Sequence, residues 1–227
     1  MWFANGKFPD EIPITIHPNK EPDDAFHPSS ALKCARELYA DMRDDLPHEK
    51  HTVDSQKTFQ IGHMYHAYLQ HLVVEELGFA SWDDIEKEYD FNFTTEVGNP
   101  YRVRGFIDIA RCLIPNKGTY LVDIKTMNAR IYVQDRPPES LMEKYEAQVK
   151  IYLEFEELDD AIILCVEKDS PHRYKEIAVQ RDPEFVAEVI EKWETVADAL
   201  AEGEPPACTC LNPSKCAARD LYIDVLN

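Results

Sequence analysis

Leu121-Val122-Asp123-Ile124-Lys125-Thr126, read with Arg104-Gly105-Phe106-Ile107-Asp108 before it, sets the frame for the whole chain. The segment alternates as a strand does. Successive side chains on a strand point to opposite faces, so Asp123 and Lys125 share one face and Val122 and Ile124 the other. Asp108 lies between Ile107 and Ile109, as Asp123 lies between Val122 and Ile124. Carboxylates inside apolar strands cost free energy unless they are paired or hold a metal. Hard oxygen ligands with a positioned ammonium beside them suit metal-assisted attack on a phosphodiester.

Working outward, Gly98-Asn99-Pro100 and Pro115-Asn116-Lys117-Gly118 separate strand-like runs at Ile85 to Phe93, Tyr101 to Leu113 and Thr119 to Lys125. Connections this short predict an antiparallel meander. A helix over about Glu139 to Glu157 then leads to a fourth strand, Ala161 to Glu167. A helical crossover between strands favours parallel pairing. Tyr174 to Val179 adds an edge strand, and Asp182-Pro183 opens a last helix to about Ala201, with Pro in a favoured first-turn position. Upstream, Ala31 to Met42 reads as a helix with Leu32, Ala35, Leu38 and Tyr39 on one face. A second helix, capped by Asp54 or Ser55, runs to about Leu77 and stops at Gly78. The arm 1–28, the segment Asp44 to His51, the stretch after Lys125 with Arg130, Arg136, Pro137 and Pro138, and the tail from Pro205 to Asn227 read as irregular. The expected fold is α/β: helix, three-stranded meander, helix, strand, with helical and cysteine-containing flanks. It forms one domain over residues 1–227 with its core at about 54–180.

With 227 residues, 44% of them hydrophobic, the chain has enough to bury one good core. It contains no apolar run of transmembrane length, and Met1-Trp2-Phe3-Ala4-Asn5-Gly6-Lys7 lacks the charged start and apolar stretch of a signal peptide, so a cytoplasmic location is expected. Six cysteines in such a chain are expected to be buried, metal-bound or catalytic rather than disulfide-paired. The net charge of −19 argues against a generic nucleic-acid binder, whose affinity comes largely from Lys and Arg. Bound cations offset carboxylates locally, and runs such as Glu154-Phe155-Glu156-Glu157-Leu158-Asp159-Asp160 place much of the acid away from Asp108 and Asp123.

Three further groups bear chemistry. Gln148 and Tyr152 are four residues apart on the expected fourth-strand crossover helix and share a face. His63 and His66 share a face of the helix before the meander, with Gln70 a turn further on. An imidazole beside two carboxylates shifts preference toward softer divalent ions such as manganese over magnesium. Cys208-Thr209-Cys210 and Cys216 cluster in the tail, with Cys34 far away in sequence. Four thiolates bind either zinc or an iron–sulfur cluster, and here they would staple the N-terminal helix to the tail. Cys112 and Cys165 sit in apolar strands and read as core residues.

Together these residues resemble the RecB-like nucleases of the PD-(D/E)xK superfamily. The matching pieces are Gly62-His63-Met64-Tyr65-His66, Gly105-Phe106-Ile107-Asp108, Asp123-Ile124-Lys125 and Gln148-Val149-Lys150-Ile151-Tyr152, in the family's order over residues 62–152. Cys34 before the core and Cys208, Cys210 and Cys216 after it are similar to the iron–sulfur branch, which includes the CRISPR-associated adaptation nuclease and the AddB-type helicase–nuclease subunit. The resemblance implies a restriction-endonuclease-like core. It implies Mn²⁺ or Mg²⁺ on His66, Asp108, Asp123 and the main-chain carbonyl of Ile124, and it implies that Lys125, Gln148 and Tyr152 belong to the catalytic set. It implies a 4Fe-4S cluster on the four flanking cysteines. One residue separates Cys208 from Cys210 where that branch usually has two, which keeps zinc open. The implied activity is a small DNA exonuclease preferring single strands, of the kind phages and CRISPR loci encode. DNA, further copies of the chain, or recombination and adaptation proteins are its implied partners.

Two readings from other classes stand beside it. A nuclease fold kept only for binding DNA or protein within a larger helicase–nuclease assembly does not require the intact Asp108, Asp123 and Lys125 set. A zinc-stapled acidic interaction module accounts for the −19 charge but not for Asp123 beside Lys125.

Overall fold

The computed structural model describes residues 24–46, 53–132, 139–169, 173–210, 216–219 and 221–222. Most of the arm 1–28, most of the segment from Asp44 to His51, Arg136, Pro137, Pro138 and parts of the tail lie outside the described residues. The elements, in chain order, are α1 (Ala35–Met42), α2 (Val53–His71), β1 (Ile85–Thr94), β2 (Pro100–Ile114), β3 (Gly118–Met127), α3 (Ala129–Tyr132), α4 (Glu139–Glu156), β4 (Asp160–Glu167), β5 (Tyr174–Gln180) and α5 (Pro183–Glu202). The fold is mixed α/β, with a five-stranded sheet in the order β1-β2-β3-β4-β5. β2 and β3 pair antiparallel, β3 and β4 parallel through the α4 crossover, and β4 and β5 antiparallel. No helix among the described residues is long and apolar enough to cross a membrane.

The differences from the sequence reading have local causes. The first helix starts at Ala35, not Ala31, because Pro28–Ser30 forms a 3₁₀ turn and Cys34 caps α1, its sulfur accepting from the Glu37 N–H. The regular part of α2 ends at His71 and continues as a wide π turn over Leu72–Glu76; Gly78, at φ +63°, then reverses the chain. The stretch after Lys125 is not wholly irregular: β3 continues to Met127 and α3 adds one helical turn.

The chain falls into two compact units. The first holds the described residues of Lys50–Glu88 and Phe106–Asp182, the second those of Lys20–Glu49, Tyr89–Gly105 and Pro183–Asn227. In the first unit Tyr68, Leu69, Leu72 and Val73 of the α2 segment pack on Ile109, Val122, Ile124, Ile162 and Leu164. At roughly 25 cal/mol per Å² of apolar area removed from water, such side chains dominate the stability of this unit. On the other face α4 packs against β4 and β5. Leu121, Val122, Asp123 and Ile124 are consequently all buried, because helices cover both faces of β3.

In the second unit α1 packs on α5, and Phe26 lies at the centre. Phe26 bridges Val103 in parallel and stacks on Trp193 with ring centroids 5.7 Å apart. Arg36 is buried on α1 and donates to the Pro206 carbonyl, which ties the tail to that helix.

Candidate active site

The site in the first unit is assembled where the β2–β3 ladder becomes irregular. Pairing runs from Ile114 opposite Gly118 to Ile109 opposite Val122, with a register shift between Ile109 and Cys112. One residue further on, the main-chain N–H of Ile124 donates to Asp108 Oδ2 at 2.6 Å, so a carboxylate stands where a ladder carbonyl would. The other oxygen, Asp108 Oδ1, lies 3.1 Å from His66 Nδ1. Asp108 therefore joins α2 to β3.

Gly62 allows α2 to come that close. A Cβ at this position would meet Thr126 Oγ1 at 3.0 Å, so any side chain forces the helix or Thr126 to move. The four-residue step from Gly62 to His66 then puts the imidazole one turn along the same face.

On β3, Asp123 and Lys125 pair directly. Lys125 Nζ lies 3.1 Å from Asp123 Oδ1 and 2.9 Å from Oδ2. The same ammonium donates to Gln148 Oε1 at 3.4 Å and sits 5.0 Å from the centroid of the Tyr145 ring. Gln148 Nε2 in turn faces the Tyr152 hydroxyl at 3.4 Å. The structure thus brings His66 to Asp108, and Lys125 to Asp123, Gln148 and, through it, Tyr152.

The two carboxylates are electrostatically unequal. Burial works against charge on both. For Asp108 the His66 ring, Lys125 and the Ile124 N–H outweigh it, and its pKa is lowered. For Asp123 burial and the neighbouring Asp108 prevail over Lys125, and its pKa rises to about 6. Burial would likewise strip the proton from His66 and Lys125, but Asp108 outweighs it for His66, and Asp123 with Asp108 outweighs it for Lys125, so both pKa values are raised. Burial pushes the Tyr152 hydroxyl up to about 12, so it stays protonated.

Sequence reasoning missed Glu86, at the start of β1. Ligand atoms of His66, Glu86 and Asp108 all lie within 4.8 Å of one another. Gln70, itself buried, donates to Glu86 Oε1 at 2.6 Å and to the Asp108 carbonyl at 3.3 Å. Glu86 sits at φ +47°, a left-handed conformation that L-residues rarely adopt. Ile85-Glu86-Lys87-Glu88 reads as an ordinary charged strand start, and nothing in it marks this position. Tyr145, beside Lys125, was missed for a similar reason: it looks like one more aromatic on an amphipathic helix. A cavity of about 290 Å³ opens over His66, Glu86, Asp108, Gly62, Thr126 and Lys168. His63 lines the same cavity, but His66 is the histidine that meets Asp108.

An imidazole, carboxylates and a main-chain carbonyl form a nitrogen and oxygen donor set suited to Mn²⁺ or Mg²⁺. The donors present fit such an ion.

In the second unit the sulfurs of Cys34, Cys208, Cys210 and Cys216 also lie within 4.8 Å of one another, with Cys34 and Cys216 3.5 Å apart. Four thiolates gathered in this way can hold a metal ion or an iron–sulfur cluster. Cys112 and Cys165 are buried in β2 and β4, and burial pushes both thiols up to about 12, as expected of inert core residues.

No family model and no curated protein sequence matches the chain. Among solved structures, that of SSO0001 is similar with a TM-score of 0.51 at 14% identity, over 83% of this chain and 80% of that one. A phage-related exonuclease from Haemophilus somnus 129PT gives a TM-score of 0.49 at 17% identity, over 77% and 82% of the two chains. An alkaline exonuclease, LHK-Exo, from Laribacter hongkongensis gives 0.40 at 14% identity, over 79% and 87%. At 14% identity the likeness to SSO0001 is one of fold.

Proposed function

We propose that the chain is a metal-dependent deoxyribonuclease that hydrolyses phosphodiester bonds, acting as an exonuclease on single-stranded DNA ends. The observation that carries this reading is Asp108, held between His66 and the Ile124 main chain with the Asp123–Lys125 pair on the adjoining strand. A purely structural aspartate has no need of that company.

His66, Asp108, Asp123 and the Ile124 carbonyl are the proposed holders of a divalent ion. A strand residue that turns its N–H to one edge turns its C=O to the same edge, so the Ile124 carbonyl faces the Asp108 side. When bound, the ion supplies Lewis-acid charge to a phosphoryl oxygen and lowers the pKa of a water. The chain's own residues do the rest. Lys125 keeps its proton and sets a positive charge beside Asp123, where negative charge builds on the phosphoryl group. Gln148 and the Tyr145 ring hold that ammonium in place, and Tyr152 orients Gln148. The cavity is of the size of a single nucleotide, which an unpaired strand end delivers more readily than a duplex does.

We further propose that the four thiols hold a resident metal centre that staples α1 to the tail. The resemblance implies 4Fe-4S, and four thiolates also suit zinc.

The test is cleavage of end-labelled single- and double-stranded DNA with Mn²⁺ or Mg²⁺. Metal-dependent cleavage lost in both Asp108→Ala and Asp123→Ala, with unchanged circular dichroism, supports the assignment, and the product ladder reads out exonucleolytic action. Cleavage retained in both variants overturns it.

A further inference from the structure

The side of the sheet that faces α2 ends in a cation to which the proposed chemistry gives no task. Ile162, Leu164 and Val166 of β4 lie on that side, packed with Val122 and Ile124 of β3 under Tyr68, Leu69 and Leu72. Strand side chains alternate, so Thr126 comes next in the β3 row and Lys168, just past β4, comes next in the β4 row. Both rows turn from apolar to polar at one level. The cavity of about 290 Å³ opens there, lined by Thr126 and Lys168. We propose that Lys168 is a substrate-binding residue whose ammonium holds the DNA phosphate next to the scissile one. The inference rests on the proposed function and adds a phosphate contact to it.

The cavity is polarised. His66, Glu86 and Asp108 line one part of it and gather where a divalent ion would sit. Among the described residues that line it, Lys168 is the one lysine or arginine. Burial lowers the pKa of Lys168, and among the described residues Asp169, not Glu86 or Asp108, opposes that. The acids of the ion site therefore do not neutralise the ammonium. An ion at one end and a separate cation at the other match successive charges along a nucleic-acid strand. The cavity has the size of one nucleotide, so the phosphate that Lys168 meets adjoins the phosphate at the ion.

The ammonium is also left for a ligand. Asp169, its neighbour in the chain, accepts from the Ala129 N–H at 2.7 Å, which ties that carboxylate to α3. Among the described residues no hydrogen bond or ion pair holds the Lys168 side chain. A half-buried ammonium in that state is completed by an anion that enters the cavity.

Its main chain, by contrast, is fixed. The Lys168 N–H donates to the Met127 carbonyl at 2.7 Å, and its carbonyl accepts from the Tyr65 hydroxyl at 3.2 Å. The residue is thus anchored to β3 and α2, which carry Asp123 and His66. Lys125 does not duplicate it, because Lys125 lies on the opposite face of β3 from Thr126, with Asp123 and Gln148.

The experiment measures release of the terminal nucleotide from short single-stranded oligothymidylates by the full chain in Mn²⁺. Each oligonucleotide carries one neutral methylphosphonate at a chosen linkage. The proteins are wild type, Lys168→Gln and Lys168→Arg. On unmodified DNA, Lys168→Gln is expected to lose about ten- to a hundredfold in kcat/KM, as for one charge-assisted hydrogen bond, with the loss falling mainly on KM. The slope of log kcat/KM against log salt is expected to be shallower by about 0.7. Lys168→Arg is expected to recover most of the loss. A neutral linkage beside the scissile one is expected to slow wild type as much as Lys168→Gln does, and to cost Lys168→Gln nothing more. The same change further along the strand is expected to affect both proteins equally. A purely structural role does not couple to one linkage. A wild type that cleaves but is indifferent to the flanking neutral linkage overturns this inference alone, as does a Lys168→Gln that the linkage slows as much as it slows wild type. Loss of fold in both variants assigns Lys168 to structure and overturns it too. Where Lys168→Gln alone fails to fold, the wild-type response to the neutral linkages decides the matter. A wild type that cleaves no oligothymidylate in Mn²⁺ or Mg²⁺ overturns the proposed function with it.

Discussion

Lys125→Met separates the electrostatics of the site from its chemistry. Lys125 lies within 3.1 Å of both oxygens of Asp123, and the two side chains are only 18% and 3% exposed. Removing one partner of a buried pair leaves an uncompensated charge and costs about 3–5 kcal/mol. For a chain of this size, about 2–4 °C of Tm is lost per kcal/mol, so calorimetry in EDTA is expected to show a drop of roughly 6–20 °C. The drop grows with pH. Asp123 is already raised from 3.8 to about 6 with Lys125 present, and without it the carboxyl holds its proton still more tightly. A folded-state pKa above the unfolded one destabilises the fold once pH exceeds the unfolded value, and the penalty increases until the folded pKa is passed. The deficit of the variant is therefore larger at pH 8 than at pH 6. A divalent ion supplies the missing charge. At a hundredfold excess over Kd, ligand binding stabilises a protein by about 2.7 kcal/mol, so Mn²⁺ is expected to raise the Tm of Lys125→Met by more than that of wild type, with cleavage still absent. A variant as stable as wild type in EDTA, or one that Mn²⁺ leaves untouched while it stabilises wild type, refutes the reasoning.

Other variants address the supports of the site. Gly62→Ala gains about 1 kcal/mol of helix propensity but sets a Cβ 3.0 Å from Thr126 Oγ1. Overpacking of that kind costs about 1–3 kcal/mol, so a small net change in Tm is expected. Because α2 carries His66, single-turnover cleavage is expected to fall about tenfold, a misplacement of 1 Å being worth about a hundredfold. Gly62→Ala/Thr126→Ala restores it if the clash is the cause. Gln148→Met removes an acceptor from Lys125 and is expected to lower kcat about tenfold with KM for DNA unchanged; a rise in KM alone would assign Gln148 to DNA binding instead. Protein purified without oxygen is expected to carry one metal centre on the four thiols, abolished by Cys34→Ser together with a lower Tm. Iron with absorption near 400 nm marks a cluster, one colourless zinc marks a single ion, and a metal-free wild type with four reactive thiols contradicts the staple.

What the sequence revealed and what it hid have the same physical origin. Asp123 and Lys125 were legible because a charge amid Val122 and Ile124 violates the pattern of an apolar strand, and a violated pattern is visible in one dimension. The parallel placing of β4 beside β3 was legible because a helix of the length of α4 imposes it. The expected alternation on β3 was too simple. Periodicity reports which residues share a face, and only the finished packing of α2 and α4 shows that both faces are covered. Glu86 was hidden more deeply. Its place depends on a backbone torsion at +47° and on the Gln70 amide of the preceding helix. Neither has a residue signature, because each is set by where other elements lie. The same holds for the unequal acidities of Asp108 and Asp123: both are aspartates in apolar strands with near-identical flanks. They differ because the Ile124 N–H and His66 reach one, while burial and the other carboxylate weigh on the second. Sequence pattern names the residues that are out of place in a core, and the three-dimensional course of the chain assigns each of them a partner. In this chain Glu86 looks ordinary in a run of charged residues, and only the fold sets it beside His66 and Asp108.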